Sequence, residues 1–325
     1  MDPKLEQLLA QLVHQRVADL YLLPTASDYR VLINLNGQRQ ALEVIPTVVA
    51  NRWISHLKYR ANMSVTEHRR PQAGALKLKV GQRIVDVRLS TVGDFRDRES
   101  MVVRFIYRLA SQQYSLLIPA QWDELVRTTK VRGLILFAGP TGSGKTTTMY
   151  QLARELKDQV VMTIEDPVEI EEPAFLQLQV NELAGMGYQE LIKVGLRHRP
   201  QVFIIGEIRD HQTATMAIQA SLSGHLVMAT VHARSARGVI ARLRQLHIDE
   251  YEIEQSLSGI AYQRLLPTVD GQMAVLFDLL TGRENWQTVE NQNGGKNGQQ
   301  WQANLEKLVA AGKILPETQQ QFQFG

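Results

Sequence analysis

Gly139 to Thr146 reads GPTGSGKT and matches the pattern G-x-x-x-x-G-K-[ST]. It follows the apolar run Leu134–Ala138 and opens a helical segment, Thr146–Leu156. Strand, glycine loop, helix is the setting that this pattern requires. Gly139, Gly142 and Gly144, with Pro140, Thr141 and Ser143 between them, let successive backbone N–H groups converge on phosphates at the positive end of a helix dipole. Lys145 supplies a point charge for the β and γ phosphates, and Thr146 offers a hydroxyl to Mg²⁺. The expected ligands are ATP and Mg²⁺.

Such a loop needs an acid for the metal and a group that orients or deprotonates water. Two segments offer carboxylates at strand ends. VFIIGEIRD, residues 202–210, runs from an apolar strand directly into Gly206-Glu207, and TIEDPVE, residues 163–169, places Glu165 and Asp166 after the run Val160–Ile164. Carboxyl ends of strands are where α/β sheets bind ligands. SGHLVMATVHA sets His225 and His232 on either side of a further apolar strand, Leu226–Val231. A histidine there can hydrogen-bond a γ-phosphate. No third ligand accompanies the pair, so no metal site is expected on them.

The elements that position these groups are visible in the periodicity. Short, unalternating apolar runs separated by helical segments read as parallel strands buried on both faces, hence an α/β sheet from about residue 122 onward. Before it the pattern differs. Residues 4–16 and 48–63 read as helices, and Leu20–Leu23, Tyr29–Leu35, Leu76–Val80, Ile84–Ser90 and Met101–Tyr107 read as strands, with a hairpin signal at Asn36-Gly37. The expected organisation is an α+β domain over 1–112, a linker over 113–124, an ATP-binding domain over 125–290, and a flexible loop with a helical tail over 291–325. The polar NQNGGKNGQQ of 291–300 supplies the loop, and the Gln-rich end is expected to be disordered.

Composition bounds the rest. The chain has 325 residues, 44% hydrophobic and 21% charged, which suits two globular domains. A net charge of +3 gives no argument for a dedicated nucleic-acid binder. There is no cysteine, so disulfides and Cys-ligated zinc are excluded. No signal-peptide pattern and no run of roughly 18 apolar residues occur, so a cytoplasmic location is expected, with any membrane contact made through a protein partner.

The order GPTGSGKTTT, TIEDPVEI, FIIGEIRD, HLVMATVHA resembles the Walker A, aspartate box, Walker B and histidine box of the ATPases of type II secretion, type IV pili and competence pseudopili. VADLYLLP (17–24), RPQAG (70–74), DVRLST, VVRFI, QLQVN (177–181) and QRLL (263–266) extend the resemblance over roughly residues 15–280. It implies a small PAS-like N-terminal domain followed by a RecA-like P-loop ATPase domain, assembled as a homohexamer. Nucleotide contacts are then expected from Gly139 through Thr147 and from His232, with Mg²⁺ held by Thr146 and, through water, by Glu207. Glu165 would polarise the attacking water, though these two acidic roles could be exchanged. Arg88 and Arg104 match family arginines that close over the triphosphate; Arg70, Arg197 and Arg209 are weaker candidates.

Departures narrow the comparison. The region after Arg264 lacks the four cysteines common in extension motors, so no zinc is expected, and LRHRPQ (196–201) replaces the family's L-R-Q-D-P-D. A cysteine-free chain of this kind most resembles the competence ATPases of Gram-positive bacteria. The resemblance implies a motor for a pseudopilus that takes up DNA, acting on a membrane platform protein from the cytoplasmic face, with no direct nucleic-acid contact. The alternatives are a pilus-retraction ATPase, or a DNA-translocating motor using the basic run of Arg234, Arg237, Arg242 and Arg244.

Overall fold

The computed structural model describes residues 2–35, 38–107, 115–181, 184–282 and 299–325. They form two compact units, Met1–Gln112 and Gln113–Gly325. Each unit has its own apolar core.

The first unit is built from α1 (Pro3–His14), β1 (Asp19–Pro24), β2 (Asp28–Leu35), β3 (Gln38–Pro46), α2 (Thr47–Arg60), β4 (Gln72–Val80), β5 (Arg83–Gly93) and β6 (Glu99–Ile106). Its six strands lie in the order β3-β2-β1-β6-β5-β4, and every neighbouring pair is antiparallel. Alternation decides which face is buried. Leu20, Leu22, Val31, Ile33, Val87, Leu89, Val103 and Phe105 point into the core with Leu5, Leu9, Trp53 and Leu57 of the two helices. Asp19, Arg88 and Arg104 fall on the opposite face. The sequence reading missed β3, because it is an edge strand with mostly exposed residues and no apolar rhythm. The Asn36-Gly37 turn lies outside the described residues.

One buried charge organises the end of α2. Lys58 is fully buried; its Nζ lies 2.7 Å from Glu99 Oε1 and donates to the Glu67 carbonyl at 2.5 Å. His68 Nδ1 lies 3.0 Å from the other Glu99 oxygen. A buried ammonium is tolerated only when paired and hydrogen-bonded in this way. The cluster fixes the segment that leads to Arg70.

The second unit contains α3 (Pro119–Thr129), β7 (Gly133–Ala138), α4 (Lys145–Glu155), β8 (Val161–Glu165), β9 (Leu176–Gln179), α5 (Tyr188–His198), β10 (Val202–Ile205), α6 (His211–Leu222), β11 (Leu226–Val231), α7 (Ala236–Gln245), α8 (Glu250–Ser256), β12 (Leu257–Pro267), β13 (Met273–Thr281), α9 (Gln299–Ala310) and α10 (Pro316–Gln321). Its seven-stranded sheet has the order β13-β12-β7-β11-β10-β8-β9, parallel except for β13. β7, β10 and β11 are buried at every position, the expected consequence of helices on both faces.

Two expectations need correction. Residues 115–124 are not a free connector: Val275 N–H donates to the Ser115 carbonyl, Leu117 N–H donates to the Val275 carbonyl, Leu117 is buried, and α3 starts at Pro119. Nor is the Gln-rich end disordered. Trp301, Leu305, Leu308, Ile314 and Phe322 join the core, and Trp301 Nε1 donates to the Phe322 carbonyl at 2.7 Å. Arg264 stacks on Phe322 and donates to the Gly325 carbonyl. A few large apolar side chains, each worth roughly 1.5–3 kcal/mol when buried, suffice to anchor a polar segment. Residues 291–298 of the expected flexible loop lie outside the described residues.

Candidate active site

Strand order brings the motifs together. β11 lies between β7 and β10, and β8 lies beyond β10. In register, Ala138 faces Val231, Ala229 faces Ile205, and Ile205 faces Ile164. Gly139, His232, Gly206-Glu207 and Glu165 therefore leave the sheet along one carboxyl edge, where a ligand of an α/β sheet binds.

The loop from Gly139 to Gly144 needs its glycines. Gly139, Gly142 and Gly144 have φ of 143°, 79° and 85°, values that L side chains rarely adopt. A Cβ on Gly139 would also lie 2.3 Å from the Gln263 carbonyl oxygen. Lys145 is the first residue of α4 and its Nζ donates to the carbonyls of Gly139 and Pro140, both at 2.9 Å. Burial pushes the Lys145 ammonium below its ordinary pKa, while the carboxylates of Glu207 and Glu169 pull it back up. Lys145 and Glu207 thus act on each other across the site. Thr146 and Thr147 follow on the first turn of α4.

Sequence reasoning missed the support beneath this loop. Gln263, fully buried on β12, donates from Nε2 to the Ser143 carbonyl at 2.6 Å. The two residues are 120 positions apart. The QRLL segment carried the signal, yet only the fold shows that its glutamine sits under the phosphate loop.

The two acidic candidates differ. Glu165 is 3% exposed, and its Oε1 accepts from the hydroxyls of Tyr150 at 2.5 Å and Thr163 at 2.7 Å. Burial pushes its carboxyl up, the two hydroxyls pull it down, and the Glu169 carboxylate adds a smaller upward push. Glu207 has its Oε1 2.5 Å from His232 Nε2 and its Oε2 paired with Arg209 Nε. Arg209 also lies 3.9 Å from Asp166. His232 is thereby engaged by a carboxylate on the neighbouring strand's end. Asp210, the last residue of the same motif, is structural and caps α6 by accepting from Thr213 N–H at 2.7 Å.

Arg88 and Arg104 sit directly opposite each other on β5 and β6. Arg104 Nε donates to Asp19 Oδ1 at 2.9 Å, and Asp19 is the residue facing Arg104 on β1. Like charges opposite each other on a sheet repel, so this carboxylate offsets their proximity. Arg70 is exposed, with Glu67 3.8 Å away, and Arg197 is exposed on α5. Arg209 lies at the sheet edge with the acids.

Three arginines of the basic run make intramolecular contacts. Arg244 makes a bidentate pair with Glu250, both bonds at 2.8 Å. Arg242 donates to the Arg209 carbonyl, and Arg237 acts on Asp278. Among the described residues no group of three or more His, Cys, Asp or Glu could hold a metal, and no helix is long and apolar enough to cross a membrane.

Comparison with known proteins gives this edge its identity. The family model described as type II/IV secretion system protein matches residues 1–313. The competence protein ComGA of Streptococcus pneumoniae is 44% identical over 250 residues, which cover 76% of this chain and 79% of that protein. ComGA of Bacillus subtilis is 33% identical over 333 residues, 95% of this chain and 93% of that one. Among solved structures, the Legionella pneumophila ATPase DotB aligns with a TM-score of 0.77 at 17% identity, covering 98% of this chain and 95% of that chain. The pilus retraction motor PilT with bound ADP aligns at 0.70 and 23%, covering 96% and 95%. These two similarities establish the fold. With the Walker loop and the acidic strand ends on one edge, the chain belongs to the type II/IV secretion system protein family and is a P-loop ATPase of the secretion and pilus type.

Proposed function

We propose that the protein is a hexameric motor that hydrolyses ATP to power assembly of a competence pseudopilus for DNA uptake. The observation that carries this reading is the identity with two ComGA competence proteins over most of both chains. The arrangement of the site supports the chemistry. Lys145 and the N–H groups of the phosphate loop bind the triphosphate. Glu165 accepts a proton from, or orients, the attacking water. Mg²⁺ fits Thr146 and Glu207: both are hard oxygen donors, and a carboxylate already paired with Arg209 and His232 keeps lone pairs for metal-bound water. When bound, the ion neutralises charge on the phosphates. Arg88 and Arg104 present two cations side by side, suited to the γ-phosphate in the closed state of the motor. The partner is a membrane platform protein, met from the cytoplasmic side; direct DNA contact is not part of the reading, in keeping with the Arg244–Glu250 pair at the end of α7.

The test joins turnover to biology. The purified chain should hydrolyse ATP at a rate indifferent to added DNA, and Lys145→Ala should abolish turnover. In a competent host lacking its own motor, the wild-type chain should restore pseudopili and the Lys145→Ala variant should not. Turnover strongly stimulated by DNA would instead favour a DNA-translocating motor. Loss of pili on expression would favour retraction.

A further inference from the structure

Tyr150 is fully buried on α4, five residues after Lys145, and its hydroxyl belongs to a closed network. It donates to Glu165 Oε1 and accepts from Gln177 Nε2 at 2.7 Å. The Gln177 amide is itself committed to backbone: Nε2 also donates to the Ile170 carbonyl at 2.7 Å, and Oε1 accepts from Glu172 N–H at 2.8 Å. Phe175 packs against the Tyr150 ring with centroids 5.3 Å apart. One turn further along α4, Arg154 Nε pairs with the buried Glu172 carboxylate at 2.7 Å. The helix that begins at the phosphate loop is therefore tied, at two levels, to the chain that leaves β8 after Glu165.

Both hydroxyl bonds to Glu165 end on the same oxygen. Thr163 lies two residues back on β8 and so shares its face; with Tyr150 it fills the acceptor sites of Oε1. We propose that Tyr150 is a positioning residue for hydrolysis, holding Oε1 of Glu165 together with Thr163 so that Oε2 is presented to the attacking water, and linking Glu165's aim to the phosphate-loop helix. The proposal rests on the reading of Glu165 as the water-activating group. The surroundings give it a readout. Glu165 is faced by Tyr150 from α4, by Glu169 from the loop that follows β8, and by Tyr188 from α5. Burial raises its carboxyl, and the Tyr150 and Thr163 hydroxyls pull it down most, with a smaller pull from the Glu169 backbone N–H. Removing either one raises the carboxyl further.

The experiment is steady-state ATP turnover of the full chain across pH for wild type, Tyr150→Phe, Thr163→Val, Thr163→Ser and Glu165→Gln. Tyr150→Phe keeps the ring and its contact with Phe175. Its kcat should fall on the order of 10- to 100-fold, the worth of one hydrogen bond to a charged group, with KM little changed. The acidic limb of its kcat profile should move to higher pH. Thr163→Val should move the limb in the same direction, and Thr163→Ser should restore it. Wild-type kcat, or a fall with no movement of the limb, overturns the proposal, because a purely structural tyrosine would not move a pKa. Should Tyr150→Phe fail to fold, Thr163→Val decides by the same criterion. Full turnover in Glu165→Gln would overturn the underlying reading of Glu165; lost turnover there, beside an unmoved limb in the other variants, would overturn the role of Tyr150 alone.

Discussion

Glu165 and Glu207 emerge from neighbouring parallel strands at the same edge of one sheet, and they are held by opposite means. Glu165 is almost fully buried among neutral donors, Tyr150 and Thr163. Glu207 is paired with the guanidinium of Arg209 and the imidazole of His232. Desolvation without a cation raises a carboxyl toward the range in which it can take a proton. Under the proposed function the difference fits the two acids to different tasks. A buried carboxylate with its aim fixed by hydroxyls suits work on water. A carboxylate held by Arg209 and His232 and acting on Lys145 suits the metal and phosphate charge.

The sharpest way to break this contrast is to neutralise each acid in turn. Glu165→Gln should cost on the order of 10²–10⁴ in kcat while leaving nucleotide binding intact. It should also stabilise the fold at neutral pH. The folded carboxyl is raised above its unfolded value, so its favourable contribution is complete below the unfolded pKa and is lost as pH rises. The uncharged amide escapes that loss, and the thermal midpoint of the variant should gain on wild type between acid and neutral pH.

Glu207→Gln should do something different. Turnover should survive at high Mg²⁺, with the concentration for half-maximal rate raised on the order of 10- to 100-fold. Titrating Mg²⁺ in both variants separates the two acids. If Glu165→Gln shifts the Mg²⁺ requirement and Glu207→Gln does not, the roles are exchanged.

Much of this site was legible in the sequence because its signals are local. The phosphate loop is one continuous segment, and both acids directly follow apolar runs whose length and lack of alternation mark buried parallel strands. The sequence reading places β10 at Val202–Ile205 and β11 at Leu226–Val231, the bounds seen in the structure. What was not legible is tertiary. Nothing near Tyr150 in the sequence says that it will meet Glu165, and nothing near Gln263 says that it will lie under Ser143. β9 escapes a reading by periodicity because LQLQ is a short, half-exposed edge strand. The tail misleads because a Gln-rich composition hides two anchors, Trp301 and Phe322, that find partners only in the folded unit.

A third carboxylate tests whether burial alone explains the behaviour assigned to Glu165. Asp278, on β13, has no place in the chemistry, yet burial pushes its carboxyl up to about 6 from 3.8, against the pull of Arg237 and the Ala236 N–H. Its contribution to stability is therefore full below about pH 3.8 and is lost as pH climbs through about 6. Asp278→Asn removes that titration. Measured by denaturant midpoint, the variant should gain on wild type as pH rises from about 4 to about 7, by about 3 kcal/mol at most, and the gap should be flat above that. ATP turnover should be unchanged. A gap that does not depend on pH would mean that burial in this unit leaves carboxyls unshifted, and the contrast between Glu165 and Glu207 would lose its physical basis. A gap that grows as expected, in a variant of full activity, isolates desolvation from catalysis and leaves the loss of turnover in Glu165→Gln to the position of that carboxylate at the sheet edge.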